Sequence, residues 1–105
     1  MIRTTQTTIT LYVPTSVRDA YHVNDYINTL RLISGGMTEQ MTDGSWIGDR
    51  GVVTEPVKLI RYIVPDYSTR NRAIDSVLEN LAAEMHELGE DSVLVEFGET
   101  TVAFV

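Results

Sequence analysis

Apolar and polar residues alternate one by one along TTITLYVP, residues 7 to 14. Ile9, Leu11 and Val13 fall on one side, and Thr8, Thr10 and Tyr12 on the other. A period of two predicts a half-buried strand, and Pro14 ends it. After the loop TSVRDAYHV the period lengthens. Ile27, Leu30 and Ile33 recur three apart and predict a helix over DYINTLRLIS, residues 25 to 34. Asn24 suits its N-cap and Asp25 its first turn, and Gly35-Gly36 stops it.

The second half repeats the scheme. GMTEQMTDGSWI reads as a strand running into a turn at Asp43-Gly44, and IGDRG as a second turn. VVTEPVKLIRYIVP, residues 52 to 65, is a long strand. Ser68 or Thr69 is placed to cap a helix reaching about Leu88. Ile74, Val77, Leu78, Leu81, Met85 and Leu88 share one face of that helix at spacings of three and four, and Gly89 stops it. SVLVEF and TVAFV follow across Gly98-Glu99, as a hairpin or as one strand with a short extension.

The order β-α-β-β-α-β predicts an α+β, ferredoxin-like sandwich, an antiparallel sheet with two helices on one face and an extra C-terminal strand. The alternative is another small α+β sandwich. At 105 residues the whole chain, 1 to 105, reads as a single domain.

The long strand carries apolar residues on both faces. Val53, Val57, Leu59 and Ile63 alternate with Val52, Ile60, Tyr62 and Val64; Glu55 and Arg61 interrupt one face, and Thr54 and Lys58 the other. Two helices cover only one face of such a sheet, and a face left to water alternates to polar residues. The pattern therefore predicts a homo-oligomer packed through the second face, although scattered apolar residues also occur on ordinary surfaces. Clefts between subunits are natural ligand sites.

Composition narrows the function. With 15 acidic and 8 basic residues the net charge is −7. That argues against a nucleic-acid partner, which needs clustered Lys and Arg, and against an anionic membrane surface. Cysteine is absent, which excludes disulfides and thiolate chemistry. The start MIRTTQTTIT lacks the apolar segment of a signal peptide, and no run approaches the roughly 20 apolar residues of a membrane span. A cytoplasmic location is expected.

Most candidate chemistry has an ordinary explanation. Of the two histidines, His86 fits a solvated position near a helix end and His22 lies in a loop. Neither pairs with a carboxylate at metal-ligand spacing, so no metal is expected. No G-x-S-x-G elbow, Walker loop or G-x-G-x-x-G run occurs. The acidic run Glu79, Glu84, Glu87, Glu90 and Asp91 reads as the solvated face and end of the long helix. Two residues stay open. Trp46, the single tryptophan, stands between Gly44 and Gly48 and either plugs a sheet edge or walls a planar ligand. Glu55 is either a charge at a sheet edge or, turned into a cleft, a group that holds a cationic ligand. Pro56 follows it and removes a backbone donor, which predicts a sheet edge or a bulge there.

The run TLR…DGSW…VVTEPVK…DSVLVEF resembles the phage-encoded S-adenosylmethionine lyases, formerly called S-adenosylmethionine hydrolases. The resemblance rests on Leu30-Arg31, Gly44-Ser45-Trp46, Thr54-Glu55 and Val93-Leu94-Val95, and spans roughly residues 8 to 104. One position departs, since the family's turn aromatic is a tyrosine and here it is Trp46. The pattern also resembles an uncharacterised bacterial domain with the same order of Trp, glycine and glutamate.

The lyase resemblance implies a trimer with sites between subunits and S-adenosylmethionine as substrate. The substrate's own carboxylate attacks its γ-carbon, releasing 5′-methylthioadenosine and homoserine lactone. Glu55 would be the catalytic carboxylate. Trp46, Thr15 and Ser16 would contact the substrate, and no cofactor is needed. In a phage the reaction would deplete the host methyl donor in the host cytoplasm and blunt restriction. The alternative is a non-catalytic oligomeric module that binds a small molecule or a protein, and a third possibility is an acidic anti-restriction decoy.

Overall fold

The computed structural model describes residues 1–90 and 92–105, without the side chain of Phe104. Along the chain lie β1 (Ile2–Pro14), α1 (Thr15–Arg18), α2 (Tyr21–Ile33), β2 (Gly36–Gly48), β3 (Gly51–Val64), α3 (Tyr67–Glu87) and β4 (Leu94–Phe104). The strands form one four-stranded sheet in the order β2-β3-β1-β4, with every neighbouring pair antiparallel. This is the ferredoxin-like α+β architecture that the alternating periods predict.

Register decides which face is buried. Ile9 stands opposite Tyr62 and Leu11 opposite Ile60. These side chains join Val13 and Val64 in one core with Val23, Ile27 and Leu30 of α2 and Ile74, Leu81 and Met85 of α3. Each such side chain contributes about 1.5–3 kcal/mol by leaving water. Tyr62 is the largest of them, and its hydroxyl donates to the Ile27 carbonyl at 2.9 Å. That bond satisfies a polar group that is costly to bury alone. Burial pushes its phenol far above the ordinary range.

Several local expectations change. β1 begins at Ile2, because β4 pairs with it from Ile2↔Phe104 to Tyr12↔Leu94 and supplies a partner to the polar run TTQTT. The extra C-terminal strand is the second half of β4, so of the two readings of that segment the single extended strand holds. Gly98 does not turn there but lies opposite Thr8, and a Cβ on it would come within 3.1 Å of Thr8 Oγ1. Asp43-Gly44 is likewise continuous strand, paired with Pro56 and Glu55. The turn is at 49–50, followed by Gly51 with φ 110°.

The first main helix starts at Tyr21, not after Asn24, since the Asn24 N–H already bonds the Ala20 carbonyl at 2.8 Å. α3 starts at Tyr67. Asp66 precedes it with φ 52°, and Thr69 lies inside the first turn with its hydroxyl on the Asp66 carbonyl. Leu88 is exposed past the end of the apolar stripe, and Gly89 follows with φ 99°. Within the acidic run, Asp91 lies outside the described residues.

The molecule measures 50 × 24 × 20 Å. The β1–β3 ladder spans only Thr7↔Val64 to Pro14↔Val57. At one end, residues 2–6 and 100–104 project as a ribbon. At the other, β2 and β3 run on together as an arm from Asp43↔Pro56 to Gly48↔Gly51.

An ionic tie secures β2 to the body. Arg18, 8 % exposed, gives Nε to Glu39 Oε2 at 2.7 Å, Nη2 to Glu39 Oε1 at 3.1 Å and Nη1 to Asn24 Oδ1 at 2.8 Å. The fork-to-carboxylate fit is the strong form of this contact.

Candidate functional site: a cleft at the root of the hairpin arm

Pro56 lies just past the last β1–β3 pair, where β3 has β2 on one side and no strand on the other. The sheet-edge expectation is met locally although β3 is an inner strand of the sheet. The β2–β3 register runs without interruption from Gly36↔Ile63 to Gly48↔Gly51, so no bulge occurs.

That register places the two open residues together. Glu55 pairs with Gly44, and in the next row of the same face Val53 pairs with Trp46. Diagonal neighbours of this kind lie within reach of a large ring. Both residues are on the face opposite the helices. Val57 and the row Leu59–Tyr12–Leu94 share that face. Gly44 keeps the floor low, because a Cβ there would meet Val57 Cγ2 at 2.8 Å.

The turn between α3 and β4 closes the opposite side. Gly89 and Glu90 N–H groups bond the carbonyls of His86 and Met85 at 3.1 and 3.0 Å, and His86 Nδ1 donates to the Glu90 carbonyl at 2.7 Å. These bonds hold Gly89 and Glu90 across from the arm. Between them lies a cleft of about 490 Å³ floored by Tyr12, Pro14, Val57 and Leu94, and Ser92 lines it as well. Trp46 is 46 % exposed in it, so it walls the cleft and does not plug the core.

The electrostatics are one-sided. Two carboxylates, Glu55 and Glu90, line the cleft, and none of its described lining residues is Lys or Arg. Ser45 turns to the other face of the arm, where its hydroxyl accepts from Thr54 at 3.3 Å. Tyr12 is half-buried. Burial, and then a hydrogen bond to the Glu96 carboxylate, raise its pKa, so the phenol is neutral at physiological pH.

Thr15 and Ser16 are not in the cleft lining. They follow Pro14 directly but turn into α1, whose Val17 and Arg18 are buried. Tyr12, Gly44, Gly89, Glu90 and Ser92 line the cleft and escaped the reading of the chain. The signal for Tyr12 was present, as a large aromatic on the polar side of the first strand. His22 is exposed, edge-on to Tyr21 at 5.1 Å. Among the described residues no three His, Cys, Asp or Glu gather as a metal site. No helix among them is long and apolar enough to cross a membrane.

No protein-family model matches the chain, and no curated protein does. Solved structures do match. A Bacillus cereus protein related to NIF3 superposes with a TM-score of 0.64 at 10% identity over 95% of this chain, which spans 27% of that protein. CPII, a nitrogen regulatory PII-like protein from Thiomonas intermedia K12 bound to ADP, AMP and bicarbonate, superposes at 0.55 and 13% identity over 99% of both chains. A phage SAM lyase in complex with S-methyl-5′-thioadenosine superposes at 0.53 and 14% identity over 95% of this chain and 89% of that one. At such identities a shared fold says nothing of shared chemistry, and the conclusion is that this chain has the ferredoxin-like fold found in the PII-like protein and the lyase alike.

Proposed function

We propose that the protein is an S-adenosylmethionine lyase acting at this cleft within a homo-oligomer. The observation that supports it is the meeting of Glu55 and Trp46 in one cleft that carries two carboxylates and no Lys or Arg among its described lining residues. Such a cleft favours a cationic ligand with a planar group over a phosphate-bearing nucleotide. S-adenosylmethionine has both a cation and a planar adenine.

In the reaction a substrate carboxylate oxygen bonds to the γ-carbon while the bond from that carbon to sulfur breaks. The electron pair stays on sulfur, which becomes a neutral thioether, and no proton moves. Opposite charges cancel along the way, so the apolar surface of Val57, Leu94 and Trp46 suits the step by keeping water out. Glu55 is best used on the substrate ammonium, whose charge does not change, since stabilising the sulfonium favours the ground state. Folding the methionine chain into attack geometry is worth up to about 7–11 kcal/mol in the best intramolecular cases.

The apolar second face of the sheet supports assembly, and the resemblance implies a trimer. In a phage the activity would blunt restriction by depleting the methyl donor in the host cytoplasm. The other reading, a non-catalytic oligomeric binding module, draws on the ADP-bound PII-like neighbour.

Incubation with S-adenosylmethionine followed by chromatography separates the two. The lyase predicts methylthioadenosine and homoserine lactone from the wild type and at least tenfold less from Glu55→Gln. A folded protein that binds the compound without consuming it is the binding module.

A further inference from the structure

The cleft contains a second aromatic residue whose position the lyase reading does not use. Tyr12 stands in the central row of the open face, between Leu94 and Leu59, and forms part of the cleft floor. The Glu96 carboxylate, after burial, raises the pKa of the Tyr12 phenol. Glu96 pairs with Thr10, one row farther from the arm, and so lies on the side of Tyr12 away from Glu55 and Trp46. An aromatic residue on the floor of a cavity that two carboxylates line matches the chemistry that recognises onium cations, in which a ring attracts the charge.

Resting on the proposed function for the ligand's adenosyl part, we propose that Tyr12 is a binding residue that distinguishes a charged sulfonium ligand from its neutral thioether, while Trp46 takes the adenine and Glu55 the ammonium. The contact weakens when sulfur loses its charge. The same ring that helps hold the substrate therefore lets the neutral thioether product leave. Its effect belongs to affinity and product release, and because it favours the charged ground state it lends nothing to the bond-making step.

Two unreactive ligands test this by calorimetry. Sinefungin carries a protonated amine where the sulfonium would be, and S-adenosylhomocysteine a neutral thioether. The expected result is that wild type binds sinefungin about tenfold more tightly or better. Tyr12→Phe, which keeps the ring, preserves that ratio, and Tyr12→Leu brings it towards one. Equal binding of the two ligands by wild type overturns the proposal, as does a Tyr12→Leu protein that weakens both equally. Thermal melts establish that each variant is folded, and if Tyr12→Leu is not, Tyr12→Thr, a ringless residue that suits a strand, serves in its place with a ratio near one expected and an unchanged one overturning the proposal. Binding of neither adenosyl compound removes the proposed function but not this inference. Tetramethylammonium then carries the test, since binding lost in Tyr12→Leu keeps the onium site and no binding to wild type overturns it.

Discussion

Glu55 stands directly across the β2–β3 ladder from Gly44, which has no side chain to set against it. The glycine is there for space, not for a turn. A methyl group at this position would sit 2.8 Å from Val57 Cγ2 and 3.8 Å from the Trp46 ring. Gly44→Ala should leave a folded protein whose affinity for S-adenosylhomocysteine falls at least tenfold, as calorimetry would show. Unchanged affinity would place the ligand elsewhere.

Trp46 is a wall and not a core residue, so its removal should separate binding from stability. Stacking of a base on an aromatic ring is worth about 1–3 kcal/mol. Trp46→Ala should therefore weaken methylthioadenosine binding by about 5- to 150-fold and shift the melting temperature little. A large drop in melting temperature would return Trp46 to a structural role.

The Arg18–Glu39 tie makes an acid-stability prediction. Hydrogen bonds from Arg18 hold the Glu39 carboxyl below its ordinary value of 4.5, with burial opposing them. A depressed pKa means that the contribution is complete above that ordinary value and is lost as pH falls through the lower folded one. Near neutral pH, Glu39→Gln should cost about 1–3 kcal/mol in urea unfolding, because it leaves buried Arg18 only the exposed Asp19 carboxylate, at 4.0 Å, for an anion. In acid below the folded value the gap between the two proteins should shrink. A gap independent of pH would mean that packing, not charge, carries the effect.

Tyr62→Phe removes the bond to the Ile27 carbonyl and keeps the ring, at an expected cost of about 1 kcal/mol. Ile27→Ala opens a cavity between α2 and the sheet and should cost about 2–5 kcal/mol. Denaturant midpoints will order the two, and the reverse order would contradict the packing described.

Leu59 lies at the centre of the sheet face that no helix covers, between Tyr12 and Gln40. Sedimentation should give wild type a mass that is a multiple of 11.8 kDa. Leu59→Glu should give the monomer, because a carboxylate enclosed without a partner is strongly disfavoured. A monomeric wild type would end the oligomer proposal.

The amino-acid sequence by itself determined the kinds of elements, their order and most of the core. The alternation of Ile9, Leu11 and Val13 and the three-four spacing of Ile74, Val77, Leu78, Leu81 and Met85 are properties of short windows of chain, readable without knowing what each window packs against. Glu55 and Trp46 also stood out, one as a carboxylate before proline and the other as the lone tryptophan.

Tertiary structure alone decided that these two share a face, since nothing local relates residue 46 to residue 55 until β2 and β3 take their register. A slip of one residue would turn every side chain of a strand to the opposite face. The same holds for Gly44 and Gly98, which look like turns in the sequence and are extended because neighbouring strands approach there closely. Tyr12, Gly89 and Glu90 meet in the cleft only after β4 pairs with β1, and Arg18 finds Glu39 across 21 residues of chain. Local pattern is set by the backbone's own periodicity, whereas a site is set by contacts between distant segments, and those exist only once the core has closed.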